Sequence, residues 1–242
     1  MISKGIVHSA LGLLHRRSKA IAHRVKPERP IVWPTIEDEV GDWSKYLKGK
    51  CLNAGAGNRD ISHIIDGQVI NQDIPEGLHN NRIDIYSPID RIPLCDSYFD
   101  SIFCNAVLEH VPNPDQILDE FHRVIKDDGY LYLAVPFLQP HHADPKDFQR
   151  YTKDGLCEIV ERHGFRVVEV ESMHTVYHTL AWITERWLIS ENSLTYIILR
   201  CILFPILRNR CIHSSKRCDS IASAFKLIAT KYAMQAQPQQ ES

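Results

Sequence analysis

Cys51-Leu-Asn-Ala-Gly-Ala-Gly-Asn-Arg-Asp60 is the stretch from which the fold can be read. An apolar strand runs into Gly55-x-Gly57, and the pattern predicts a short helix after it. Glycine is needed where the backbone turns sharply and a ligand must approach without a Cβ in the way. Asp73 ends the next apolar run, eighteen residues after Gly55. A carboxylate at that place can accept both hydroxyls of a ribose. The dinucleotide fingerprint fails, because Asp60 stands where its third glycine should be. That disfavours a nicotinamide-dependent dehydrogenase, and the loop suits a ligand without phosphates.

Outward from this loop, short apolar runs alternate with helical spacing. Lys50–Ala54, Gln68–Asn71, Arg82–Ile85, Phe99–Cys104 and Tyr130–Val135 read as five strands. Arg166–Val170 reads as a sixth and Ile221–Thr230 as a seventh. Pro114–Ile125 places Ile117, Leu118, Phe121, Val124 and Ile125 on one helical face, with Asp127-Asp128-Gly129 as the stop. Thr152 caps another helix, which ends at Gly164. The expectation is an α/β fold: a Rossmann-like, doubly wound, mostly parallel seven-stranded sheet with helices on both faces.

The 242 residues divide into a basic amphipathic segment over 1–34, a main domain over 35–232 and a polar tail over 233–242 expected to be disordered. An apolar helical insertion of about 178–215 precedes the last strand. Its run Leu194–Leu207 contains Arg200 and Pro205 and falls short of the ~20 apolar residues a spanning helix needs. Seven cysteines, odd in number and without a C-x-x-C pair, argue against a disulfide framework and a zinc site. They favour a reducing, cytoplasmic setting, and the N-terminus lacks the pattern of a signal peptide. Formal net charge is −2, so no nucleic-acid partner is expected. Both ends are basic, however, with Arg16, Arg17, Arg24 and Lys26 near one and Arg208, Arg210, Lys216 and Arg217 near the other. Flanking apolar residues, these make an anionic membrane surface a candidate partner, met peripherally from the cytoplasmic side.

Pro93-Leu-Cys-Asp-Ser-Tyr-Phe-Asp-Ser-Ile-Phe-Cys-Asn-Ala-Val-Leu-Glu-His-Val-Pro112 and Arg123-Val-Ile-Lys-Asp-Asp-Gly129 complete the pattern. Together with the glycine loop they resemble the class I S-adenosylmethionine (SAM)-dependent methyltransferase superfamily, in particular its type 11-like domain. The resemblance covers about Lys50–Phe165. It implies SAM as cofactor, with Asn53, Gly55 and Gly57 beneath its methionine part and Asp73 on its ribose. It also implies Asp84 near the adenine amino group and Asn105 beside the methionine moiety. Asn53 replaces the usual acid and Arg59 a common third glycine.

Pro136-Phe-Leu-Gln-Pro-His-His-Ala-Asp-Pro-Lys-Asp-Phe-Gln-Arg-Tyr-Thr152 follows the fifth strand, at the sheet edge where ligands bind in such folds. It is similar to a segment of methyltransferases met beside glycan and lipid biosynthesis. His141, His142 and Asp144 are candidate catalytic groups, able to act as general base toward a hydroxyl. The alternatives are contacts that hold the loop, or a metal site, which the spacing does not favour; no metal is expected. Arg150 is expected to anchor the loop by pairing with Asp147, and Glu109 and His110 are candidates either for catalysis or for holding theirs by side-chain hydrogen bonds. The reaction implied is methyl transfer to an oxygen, or a nitrogen, of a small-molecule, glycan or lipid-linked acceptor. A D/N-P-P-Y motif is absent, which disfavours base methylation of DNA. The competing reading is a non-catalytic module that keeps the fold for scaffolding in a membrane-associated complex.

Overall fold

The computed structural model describes residues 28–76, 82–143, 145–190 and 193–232. The N-terminal basic segment up to residue 27, Asp144 and the tail from 233 lie outside the described residues. The chain forms two compact units, Pro34–His174 with Asp219–Ser242 and Met1–Trp33 with Thr175–Cys218.

The larger unit is built on seven strands: β1 (Lys48–Ala54), β2 (Asp66–Asp73), β3 (Ile85–Tyr86), β4 (Phe99–Asn105), β5 (Ile125–Pro136), β6 (Phe165–Met173) and β7 (Ala224–Lys231). Their order is β3-β2-β1-β4-β5-β7-β6. All neighbours are parallel except β7, which runs antiparallel to both β5 and β6. The expected Ile221 start of the last strand lies instead in a 3₁₀ turn, Asp219–Ile221. Strands buried on both faces explain the continuous apolar runs. Leu52 and Ala54 join a core with Phe99, Ile102 and Leu131, while Cys51 joins Phe103, Tyr132 and Ile228 on the opposite side.

A helix α1 (Ile36–Val40) precedes β1, with Thr35 and Asp38 closing a reciprocal capping box. It leads into a 3₁₀ turn whose Trp43 packs edge-on against Tyr132. Helix α2 (Pro114–Val124) starts on proline, whose missing N–H costs nothing there, and buries Ile117, Leu118, Phe121 and Val124. Helix α3 (Lys153–Arg162) is capped by Thr152 Oγ1, which accepts from the Gly155 N–H at 3.1 Å. The short helix expected after the glycine loop is not formed. Only eight residues separate Gly57 from β2, too few for a helical crossover, and the segment makes turns closed by Arg59 N–H to Ala56 O and Ile64 N–H to Ile61 O. Ile61 and Ile65 plug the second core together with Val40, Trp43 and Leu47.

The smaller unit contains two helices, α4 (Val176–Ile189) and α5 (Leu194–His213). Ile31, Ala181 and Cys211 form its core, with Tyr177, Trp182 and Leu207 against them. Arg29 forks onto buried Glu185 at 2.6 and 2.9 Å. Leu180, Ile183 and Trp187 on α4 and Ile198, Ile202 and Ile206 on α5 are exposed. Among the described residues no helix is long and apolar enough to cross a membrane.

Candidate active site

The carboxyl ends of β1, β2 and β4 meet at one edge of the sheet, since Ala54 pairs with Gln72 on one side and with Cys104 on the other. β1 ends in a loop that needs two left-handed residues, Gly55 (φ 61°) and Gly57 (φ 51°). The reasons for glycine differ. A Cβ on Gly55 would meet Val107 Cγ2 at 2.7 Å, so this glycine makes room for the loop after β4. A Cβ on Gly57 would meet nothing within 4 Å, so here the backbone lies open to an incoming molecule. Spacing alone does not separate the two.

Backbone donors tie this loop to the end of β2. Gly57 N–H donates to Asp73 Oδ2 at 2.6 Å, and Gly55 N–H to Gln72 Oε1 at 3.2 Å. The other Asp73 oxygen accepts from the Ile74 N–H at 2.7 Å. The half-buried carboxylate is thereby fixed in direction. Gln72, buried, also donates to Ser87 O at 2.7 Å and so couples the glycine loop to the end of β3. Asn53, fully buried, spends its amide N–H groups on Arg59 O and Asn71 Oδ1, leaving its Oδ1 without a hydrogen-bond partner among the described residues.

The other predicted residues are placed less uniformly. Asn105 ends β4 at the same edge and makes a long 3.5 Å contact to Glu39 Oε2. Asp84 precedes β3, is exposed, and accepts from the Asn71 N–H at 3.0 Å, two residues short of Asp73. It extends the β2 ladder with its side chain instead of reaching the carboxyl edge. Two residues unmarked by the sequence reading stand beside Asn105. Glu39 on α1 pairs with His174 Nε2 at 2.9 Å, and His174 Nδ1 meets Ser223 Oγ at 2.7 Å. His174 (φ 62°) and Ala106 (φ 56°) both hold left-handed conformations directly after their strands. Such strain collects at functional edges. A separation of 135 residues hides the Glu39–His174 pair from any spacing argument.

The loop after β5 is held by side chains. Arg150 forks onto Asp147, whose side chain is buried, and holds that carboxyl well below the usual carboxylate range. Asp147 Oδ2 in turn accepts from the His142 N–H at 2.8 Å. Gln149 donates to Leu108 O and Val111 O, and the Phe148 N–H to Glu109 O, fastening this loop to the one after β4. His141 is exposed, whereas His142 is half-buried with Nε2 3.8 Å from Glu109 Oε1. The Glu109 carboxylate raises the His142 pKa against the opposing effect of burial. Burial likewise pushes the Tyr151 phenol up. Of Glu109 and His110, only His110 holds the loop as expected, through Lys146 O at 2.6 Å. The Glu109 carboxylate, fully buried, has no hydrogen-bond partner among the described residues.

Residues 52–133 match the methyltransferase domain family. The mitochondrial ubiquinone biosynthesis O-methyltransferase of Dictyostelium discoideum is 24% identical over 150 residues, which cover 50% of this chain and 46% of the relative. The chain spans less than half the length of the curated relatives it matches. Among solved structures, a SAM-dependent methyltransferase from Archaeoglobus fulgidus superposes with a TM-score of 0.54 at 17% identity, covering 81% of this chain and 93% of that one. The Burkholderia thailandensis 1,6-didemethyltoxoflavin-N1-methyltransferase, solved with 1,6-didemethyltoxoflavin and S-adenosylhomocysteine, gives 0.50 at 15% identity, with coverage of 90% and 78%. SAM needs a ribose acceptor and backbone without side-chain cover, and Asp73 and Gly57 offer these, while Asn53 Oδ1 is an unused acceptor under the loop. The match to the methyltransferase domain family over residues 52–133 lies on the strands that carry this edge, and the sheet around it has the fold of the solved methyltransferases on which it superposes.

Proposed function

We propose that the chain transfers a methyl group from SAM to an oxygen, or a nitrogen, of a small-molecule acceptor. The observation that carries this is Asp73 held by the Gly57 N–H beside backbone that no Cβ covers. SAM supplies an already activated sulfonium methyl, so the protein's part is to align the partners and exclude water. Asp73 accepts from the ribose hydroxyls, Gly57 gives the backbone approach, and Asn53 and Asn105 lie toward the methionine end. Asp84 is left out of this set because its carboxylate is engaged on β2 short of the edge. His141, the exposed imidazole of the loop after β5, takes the proton of an acceptor hydroxyl. His142 is turned inward, and Asp144, which lies outside the described residues, remains a candidate. The ubiquinone biosynthesis O-methyltransferase relative and the toxoflavin-type enzyme, by their names, support an acceptor of small-molecule size.

Calorimetry with SAM and S-adenosylhomocysteine tests the cofactor half. The wild-type chain is expected to bind both. Asp73→Ala should weaken binding by about 1.5–3 kcal/mol, the value of lost charge-assisted hydrogen bonds. Unchanged affinity in that variant would remove Asp73 from the site. A chain that binds SAM yet never releases S-adenosylhomocysteine with any acceptor would favour the scaffold reading.

In this proposal the smaller unit meets an anionic membrane face. Exposed Ile183, Trp187, Ile198, Ile202 and Ile206 supply the apolar contact, and Arg210, Lys216 and Arg217 are exposed cations on the same unit. Each cation near an anionic surface contributes about 1 kcal/mol. Sedimentation should bring the chain down with phosphatidylserine vesicles at low salt and release it at high salt. A chain left in the supernatant at low salt has no such face.

A further inference from the structure

Glu109 is 0% exposed, and neither carboxylate oxygen has a hydrogen-bond partner among the described residues. A buried carboxylate in that condition is costly unless a cation completes it. Two imidazoles point at it from different loops. His110 Nε2 lies 3.7 Å and His142 Nε2 3.8 Å from Glu109 Oε1. One ligand atom from each of the three residues falls within 4.8 Å of the others. The opposite ring nitrogens are both committed to backbone carbonyls, His110 Nδ1 to Lys146 O at 2.6 Å and His142 Nδ1 to Pro140 O at 3.0 Å. A carbonyl can only accept, so each Nδ1 is the donor there, and Nε2, turned toward Glu109, is the atom left for an ion once it gives up any proton it carries. Carbonyl partners of this kind fix the tautomer and orientation of metal-bound histidines. The two rings stand nearly perpendicular, with centroids 5.4 Å apart, so they converge without stacking.

We propose that Glu109, His110 and His142 bind one divalent first-row transition ion, through the carboxylate and the two Nε2 atoms. The donor set decides the class of ion. Two imidazoles and one carboxylate suit zinc, manganese, iron or cobalt, whereas magnesium and calcium prefer oxygen throughout. Three protein ligands leave coordination positions for water or for an oxygen of another molecule. The site lies on the loops after β4 and β5, the same edge as the proposed acceptor, yet it stands independently of methyl transfer. His141 is outside the ligand set, so the proposed proton acceptor and the ion do not share an imidazole. A spacing argument on residues 141–144 could not find this site, because two of its ligands come from the turn Leu108–His110.

Cobalt(II) titration of the chelator-stripped full chain tests the proposal, read by visible d–d absorption and by the thermal midpoint. The expected result is one equivalent bound, a rise in the midpoint, and no thiolate charge-transfer band from the exposed Cys95 or Cys201. Glu109→Gln, His110→Ala and His142→Ala should each weaken binding at least tenfold, with SAM affinity unchanged. No binding by the wild-type chain, or unaltered binding in His142→Ala, overturns the site. His142 is on a partly exposed loop, so that variant decides the matter even where Glu109→Gln fails to fold.

Discussion

The two loops at the carboxyl edge are held in opposite ways. After β1, the turn is fastened by its own backbone, with the N–H groups of Gly55, Ala56 and Gly57 donating to the adjacent residues Gln72 and Asp73. After β5, the segment up to Thr152 is fastened by side chains: Arg150 on Asp147, Gln149 on the turn after β4, and His110 reaching back to Lys146 O. A backbone-held loop demands particular residues at particular steps and presents a bare surface. A side-chain-held loop fixes no spacing and can present whatever chemistry an acceptor needs. The first suits a cofactor shared across a superfamily, the second an acceptor that differs from one member to the next.

Removing an imidazole from the second loop sharpens this contrast most. His141→Ala should lower methyl transfer to a hydroxyl acceptor roughly 10²–10⁴-fold, the usual contribution of a positioned base. SAM affinity measured by calorimetry should not change, because the cofactor belongs to the other loop. A variant that loses SAM binding as well would break the division. The fold itself is tested by Gly55→Val. The left-handed backbone costs a branched residue ~1–2 kcal/mol, and the collision with Val107 adds ~1–3 kcal/mol of overpacking. Urea denaturation should show that loss. A variant as stable as wild type would return Gly55 to the ligand's approach path.

Arg150→Ala asks whether the second loop depends on its ion pair. Its partner Asp147 has a side chain only 2% exposed, so truncation strands a buried charge and should cost about 3 kcal/mol. Faster hydrogen exchange over residues 139–151, with β1 and β2 unchanged, is the expected pattern. Uniform destabilisation of the whole sheet would mean that the loop is part of the core.

What the sequence made legible follows the same division. Strands buried on both faces announce themselves as apolar runs, and Pro114, Thr152 and Gly164 punctuate the helices by local chemistry. The pair Gly57 and Asp73 was readable because one lies just past the end of β1 and the other at the end of the adjacent β2. Helix α1 was missed: five residues are too short to show a period, and the Thr35–Asp38 box was its one local mark. The burial of Glu109 was beyond reach, since it is decided by a loop folding over it from more than thirty residues away. β3 starts at Ile85, later than the apolar pattern implied, so Asp84 precedes the strand instead of lying within it.

The smallest effect separates the two glycines of the first loop. Gly57 has φ 51°, and a Cβ there would touch nothing within 4 Å. Alanine at this position therefore pays only for the left-handed backbone, about 1 kcal/mol of stability, a few degrees in the thermal midpoint. The added methyl group would, however, stand in the open space over the Asp73 carboxylate's partner N–H, where the cofactor is proposed to pass. Gly57→Ala should accordingly lose SAM affinity about tenfold or more while remaining folded, the reverse of the balance expected at Gly55. Calorimetry and thermal unfolding on the same preparation measure both quantities. If SAM binding survives intact, the open backbone at Gly57 is only a turn, and the cofactor must approach Asp73 from another side.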